Sequence, residues 1–278
     1  MDRKATARQT LEIMEKGYYE IGKEQVDIGG FQTDSVERSF LLTPEQGEEL
    51  LSRVSLKKSS AGSDLASEIR IWNCSTVEAI LKLTAEGKEA AVLNFASAKN
   101  PGGGFLNGAM AQEESLAASS CLYQTLIAHE EYYKKNRACE SMMYTNYAIY
   151  SPDVVFFRDQ RFQLLEKPVF ASVLTIPAVN MGQVVLKRED IRQAEQVMKE
   201  RMKLILAVFA EQGCRHLILG AYGCGVFRND VRKVAAWWKE LLKRFFPEQF
   251  ETVVFAVLDR SADQRSIQSF QTVFGQEV

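Results

Sequence analysis

The sequence predicts an α/β/α three-layer sandwich with a mixed central sheet, preceded by a mainly helical N-terminal extension. Three observations lead there. Apolar strand-like runs alternate with amphipathic helical runs from about residue 68 to 258. Several of those strands are apolar on both faces, as expected for a sheet covered by helices on each side. Two glycine-rich loops follow buried strands, where open α/β sheets carry their ligands.

The elements follow in order. Residues 4–16 read as a helix that buries Leu11, Ile13 and Met14 and ends at Gly17. Short strand-like runs cover about 18–28 and 34–42. Thr43-Pro44-Glu45-Gln46 supplies an N-cap, a first-turn proline and a capping-box partner for a helix to about residue 54. The polar stretch LKKSSAGSD then reads as a linker, and the border between an extension (1–62) and the main domain (63–278) is set there. A strand at 68–73 leads to a helix capped by Ser75 and Glu78 and ended by Gly87. The run EAAVLNFA (89–96) is a buried strand. A helix is expected over about 114–135, strands at 145–150, 153–157 and 169–176, and a long helix over 188–212. Its apolar face carries Ile191, Ala194, Val197, Met198, Ile205 and Val208. HLILGAY (216–222) is a strand, 230–245 a helix with Trp238 in its apolar stripe, and TVVFAVL (252–258) a last buried strand.

Composition narrows the function. The 278 residues are 46% hydrophobic and 25% charged, ordinary for a globular chain. Lys plus Arg is 34 against 36 for Asp plus Glu, a net charge of -2. That balance argues against general electrostatic grip on nucleic acid, and no direct DNA binding is expected. Two histidines, His129 and His216, far apart in sequence, leave no imidazole-rich metal site, and no cofactor is called for. The five cysteines form no CxxC pair, as in a reduced intracellular protein. No run of about 18 apolar residues occurs, so no membrane span is expected. The expected setting is cytoplasmic, or nuclear in a eukaryote, and the expected state a monomer.

The chemistry concentrates in the two loops. In NFASAKNPGGGFLNGAMAQEESL, Gly102, Gly103 and Gly104 remove three consecutive β-carbons after a buried strand. In GAYGCGVFRND, glycines at 220, 223 and 225 precede a helix, and such backbone can cradle a phosphate or diphosphate. Neither loop fits GxGxxG or GxxxxGK[ST]. Gln112-Glu113-Glu114 stands at a helix start, where adjacent acids also serve as dipole partners. Side chains at i and i+1 diverge by about 100° around a helix. The two acids therefore do not flank one bond from opposite sides, as paired glycosidase carboxylates do. One would move the proton while the other holds substrate hydroxyls.

GGG, seven intervening residues and QEE, with the second loop, resembles the poly(ADP-ribose) glycohydrolases, the bacterial-type branch in particular. The resemblance implies a macrodomain-like catalytic domain that hydrolyses ribose–ribose O-glycosidic bonds of poly(ADP-ribose) and releases ADP-ribose. It implies Glu114 as general acid and base, with Glu113 and Gln112 binding ribose hydroxyls or buttressing the loop. Gly103 and Gly104 would line the distal ribose and its phosphate, with Gly102 also a substrate-binding candidate, and Gly223, Cys224, Gly225 and Val226 would donate backbone N–H groups to the diphosphate. Phe227 would pack on ribose or adenine, or anchor its loop. Asn100 would bond a ribose hydroxyl or simply form the turn before Pro101, with Ser97 a rival. Cys224 has no neighbouring histidine and reads as a small buried residue. Lys134-Lys135-Asn136-Arg137 reads as a solvated helix end. Two other readings share the loops: a non-catalytic ADP-ribose reader, which needs no proton donor, and a hydrolase of mono-ADP-ribosylated protein or nucleic acid.

Overall fold

The computed structural model describes residues 2–56 and 66–275. Eleven helices and nine strands are found among them. The chain runs α1 (Arg3–Lys16), β1 (Tyr18–Ile21), β2 (Glu24–Asp27), α2 (Gly29–Arg38), β3 (Phe40–Leu42) and α3 (Pro44–Leu56). It continues with β4 (Glu68–Trp72), α4 (Thr76–Ala85), β5 (Ala90–Ala96), a 3-10 turn (Phe105–Asn107), α5 (Gln112–Ser119), α6 (Leu122–Ala128) and α7 (Glu130–Ala138). The remainder is β6 (Ala148–Arg158), β7 (Leu164–Pro177), α8 (Met181–Leu186), α9 (Ile191–Glu211), β8 (His216–Leu219), α10 (Val231–Phe245), β9 (Thr252–Ala256) and α11 (Arg265–Phe274).

Seven strands form the central sheet in the order β3-β6-β7-β5-β8-β9-β4. β7, β5, β8, β9 and β4 are mutually parallel, whereas β6 runs antiparallel to both its neighbours. The sheet is mixed, as expected. Helices α3, α9, α10 and α11 bury one face and α4 to α7 the other, each over its own apolar cluster. After β5 the chain moves to β6 and β7 on one side, then crosses through α9 to β8 on the other. β5 and β8 therefore bracket a topological switch point, with their carboxyl ends open to a ligand.

Local sequence explains most boundaries. Gly17 closes α1 at φ 74°, with its N–H on the Ile13 carbonyl. Thr43 and Gln46 exchange the two bonds of a capping box at the start of α3. Ser75 caps α4 through the Glu78 N–H. Asp190 and Asp230 cap α9 and α10 in the same way.

Several expectations need correction. Residues 34–38 belong to α2, and only Phe40–Leu42 of the expected 34–42 run is strand. The helix expected over 114–135 begins at Gln112 and is three helices. It breaks at Ser120, whose extended backbone bridges Phe156, and again at His129, whose ring bonds the Ser39 hydroxyl at 2.8 Å. The strands expected at 145–150 and 153–157 are one strand. Pro152 and Asp153, the latter at φ 45°, shift the register with β7 without ending the strand. The helix over 188–212 starts only at Ile191, which overhangs the end and stays exposed, while Ala194, Met198, Ile205 and Val208 are buried. α8 and α11 were not anticipated. The expected linker and the 62/63 border fall largely outside the described residues. On the near side of it, β3 joins the sheet by pairing with β6, and α1 packs on α5.

Trp238 joins the core to the second loop: it is fully buried on α10 and its indole N–H donates to the Gly220 carbonyl at 3.1 Å. Trp238→Ala should therefore lower stability by about 3–5 kcal/mol in urea unfolding, and Trp238→Phe by less. A loss under about 1 kcal/mol for Trp238→Ala would mean that α10 does not anchor that face.

Candidate active site

A cleft of about 770 Å³ opens over the carboxyl ends of the parallel strands. The end of β5, the triple-glycine loop, the start of α5 and the second glycine loop line it, together with the ends of β4 and β9. Glu113 and Glu114 both reach it, but they are held differently.

Glu113 points down into the sheet and is almost fully buried. Its Oε2 accepts the Ser97 N–H at 2.7 Å and its Oε1 an amide proton of Asn94 at 3.2 Å. Asn94 is itself buried in β5, and its amide also donates to Thr175 Oγ1 of β7 at 3.2 Å. Burial pushes the Glu113 carboxyl up to about 8, outweighing the opposite pull of the Ser97 and Asn94 bonds; the nearby Glu114 adds to the rise.

Glu114 points up toward the loop. Its Oε1 accepts the Gly104 N–H and its Oε2 the Ala111 N–H, both at 2.9 Å. The second bond is half of a capping box; alanine at the cap has no side-chain acceptor to return the other half. A β-carbon on Gly103 would collide with Glu114 Oε1 and lie 3.0 Å from Glu113 Oε2. Gly103 also sits at φ 60°, which glycine adopts without strain. The glycine backbone thus passes between the two carboxylates, where any side chain would displace them.

Gln112 acts as a strut. Its Oε1 accepts the Phe95 N–H at 2.8 Å, and its amide donates to the Leu93 carbonyl at 2.8 Å and Thr76 Oγ1 at 3.2 Å. Its hydrogen bonds tie the start of α5 to β5 and α4, so of its two expected roles the geometry supplies buttressing. Gly102 is set back from the cleft: it is buried, and a β-carbon there would meet Tyr123, Ala117 and Phe105. The N–H groups of Gly103 and Gly104 are taken, by the Asn100 carbonyl and Glu114. The space of each missing β-carbon is taken by protein atoms, at Gly104 by Ala109 Cβ at 2.6 Å, so the triple glycine lets neighbouring protein pack closely and does not offer those two donors, contrary to the expectation of open approach for a ligand. Asn100 is exposed at the rim. Its N–H bonds Ser97 Oγ at 3.1 Å, so the turn role is present, and the residue is among those lining the cleft.

The second loop divides by glycine. Gly220 and Gly223 are packing positions, since added β-carbons would approach the Ala256 carbonyl oxygen and Ala178 Cβ at 2.6 Å each. Gly225 faces open space. The N–H groups of Gly225, Val226 and Phe227 find no acceptor among the described residues, so three successive donors line the cleft unpaired. The Cys224 N–H, by contrast, is taken by the Ala221 carbonyl at 3.1 Å, which removes it from the expected donor set. Burial pushes the Cys224 thiol up to about 12, so it is no nucleophile. Phe227 lines the cleft and also packs on Tyr144, with ring centroids 6.1 Å apart. Asn229, which sequence reasoning missed, is buried and donates to the Val179 and Gly223 carbonyls at 2.8 and 3.0 Å, closing the loop. Lys134 and Lys135 pair with Glu130 and Glu131 on their own helix, while Arg137 reaches the Lys99 carbonyl behind the rim.

A sequence model described as "Microbial-type PARG, catalytic domain" matches residues 7–159. The structure superposes with a TM-score of 0.91 on poly(ADP-ribose) glycohydrolase (PARG) from Thermomonospora curvata, 36% identical, covering 98% of this chain and 99% of that one. The same enzyme bound to the inhibitor ADP-HPD gives 0.89 at 36% identity, over 97% and 98% of the two chains. The glycohydrolase from Deinococcus radiodurans in complex with ADP-ribose gives 0.82 at 40% identity, over 89% and 98%. No curated protein matches the sequence.

The buried Glu113 generates a pH signature. Its carboxyl is raised from 4.5 to about 8 on folding, so the folded state holds the proton more tightly than the unfolded state. Its contribution is fully favourable below the unfolded value and is lost as pH rises through the folded one. Between about pH 5 and pH 8 the native protein should therefore lose stability relative to Glu113→Gln. Parallel unfolding curves for the two proteins across that range would contradict the assignment.

Proposed function

The chain belongs to the microbial-type poly(ADP-ribose) glycohydrolases and hydrolyses poly(ADP-ribose), and we propose that Glu114 is its general acid and base. One observation carries this reading. Glu114 is fixed at the lip of Gly103 by two backbone N–H groups, in a cleft whose other loop presents three unpaired N–H donors. The donors of Gly225, Val226 and Phe227 suit a diphosphate, which is anionic and needs no counter-charge where backbone dipoles converge. The bare backbone at Gly103 makes room for both carboxylates at the cleft.

Chemistry then follows from one carboxyl group. Protonated Glu114 donates to the leaving ribose oxygen as the ribose–ribose O-glycosidic bond breaks. Positive charge develops on the remaining ribose and is met by the diphosphate of the same unit. The Glu114 carboxylate next takes a proton from the attacking water, whose oxygen bonds the anomeric carbon, and ADP-ribose leaves with Glu114 protonated again. Glu113, neutral over much of the physiological range because its carboxyl is raised to about 8, offers a hydroxyl donor and an acceptor to the ribose hydroxyls without placing a second negative charge beside Glu114. Gln112 and Asn94 hold the two acids' frame. A reader of ADP-ribose would need the loops but not this pair of oriented acids.

Labelled poly(ADP-ribose) provides the test. Native protein should release ADP-ribose, and Glu114→Gln should bind ADP-ribose in calorimetry yet turn over at least about 100-fold more slowly. Equal turnover would remove Glu114 from the mechanism. On the opposite wall, Gly225→Trp should keep the fold, because Gly225 faces open space, but abolish ADP-ribose binding. Native-like affinity in that variant would refute the diphosphate assignment.

A further inference from the structure

Helix α1 begins at the rim of the cleft, and two guanidinium groups line that cleft, Arg3 and Arg260. They stand apart in their surroundings. Arg260 lies with Leu258 and Ser266 beyond β9, whereas Arg3 shares a second, smaller recess with Glu114 and Met110. A β-carbon at Gly108 would sit 3.3 Å from Arg3 Cβ and 3.2 Å from Lys4 Cγ, so the first turn of α1 rests on the loop that leads into α5.

A buried clamp fixes this placement. Arg158 of β6 is fully buried and donates to the Ala118 carbonyl and to Gln9 Oε1, both at 2.8 Å, and also to Thr10 Oγ1. The Thr10 hydroxyl in turn donates to the Ala118 carbonyl at 2.9 Å. α1 is thereby tied to the far end of α5, the helix whose first turn carries Glu113 and Glu114. Arg3 itself has no carboxylate partner among the described residues, so its charge is free for a ligand.

The substrate chemistry supplies that ligand, given the glycohydrolase reading on which this step rests. Both riboses of ADP-ribose carry a 5′-phosphate, so whichever ribose keeps the leaving oxygen has an anionic diphosphate one sugar away from the broken bond. One unit's diphosphate faces the N–H groups of Gly225, Val226 and Phe227. The neighbouring unit's diphosphate lies on the leaving-group side of Glu114, and the cation found beside Glu114 is Arg3. We propose that Arg3 binds the diphosphate of the polymer unit on the leaving-group side, making the N-terminal helix part of the recognition of polymer over free ADP-ribose.

Initial-rate kinetics on poly(ADP-ribose), with calorimetry of free ADP-ribose, test this for native protein, Arg3→Gln and Arg3→Lys. At low ionic strength Arg3→Gln should raise KM for polymer about 2- to 5-fold, the range of one solvent-exposed ion pair. Its kcat should stay within about two-fold and its affinity for ADP-ribose should not change, because that ligand fills only the unit held by the second loop. Arg3→Lys should recover part of the loss, and the difference should shrink as salt is added. Equal KM for native and Arg3→Gln would overturn the proposal. So would a fall in kcat at constant KM, or a parallel loss of ADP-ribose affinity, either of which makes Arg3 a prop for the loop. Absence of ADP-ribose release by the native protein, read in its own arm, would overturn the glycohydrolase reading and this proposal with it.

Discussion

The site depends on a missing β-carbon. Adjacent residues on a helix point about 100° apart, so Glu113 and Glu114 cannot converge by helix geometry alone. They meet at one place because the backbone of Gly103 runs between them with nothing attached, and a β-carbon there would overlap Glu114 and press on Glu113. Each acid is then fixed from a different layer. Glu113 is held by the strand end below, through Ser97 and Asn94, and Glu114 by the loop above, through Gly104 and Ala111. Gln112 fastens the helix start that carries both. Two carboxylates one residue apart thereby occupy different environments, one buried and protonated over much of the neutral range, the other at the lip of the cleft.

The layered fold and both loops were legible because each rests on a local rule: period in the strands, caps on the helices, glycine where the chain ends a buried strand. What failed were places where a distant partner overrules the local pattern. The continuous apolar pattern from 114 to 135 conceals two breaks that come from Phe156 pairing with Ser120 and from Ser39 meeting His129. Likewise Pro152 and Asp153 look like the end of a strand, yet β7 lies alongside and carries the pairing across the irregularity.

Within the site the same division holds. The residue types were legible, but the hydrogen-bond assignments were not. Nothing in GAYGCGVFRND separates Gly220 and Gly223, which admit neighbouring protein atoms, from Gly225, which leaves room for a ligand. Nor does the sequence reveal that the Cys224 N–H is already occupied while the next three are free. Asn94 was the signal that went unread. A single amide in the otherwise apolar run AAVLNFA (90–96) must find polar partners once buried, and those partners are Glu113 and Thr175.

The charge balance takes on a different meaning once burial is known. The formal net charge of -2 counts Arg158 and Arg201, both buried and bonded to neutral oxygens of the protein interior. It also counts Glu113, which burial keeps largely neutral. With those groups removed from the ledger of exposed charge, the surface is more acidic than the formal sum. Such a charge balance offers a polyanion no general attraction. Binding must come from a few groups at short range: backbone dipoles that carry no net charge and the guanidinium groups lining the cleft. A site of that kind reads the repeating unit by shape and hydrogen bonding.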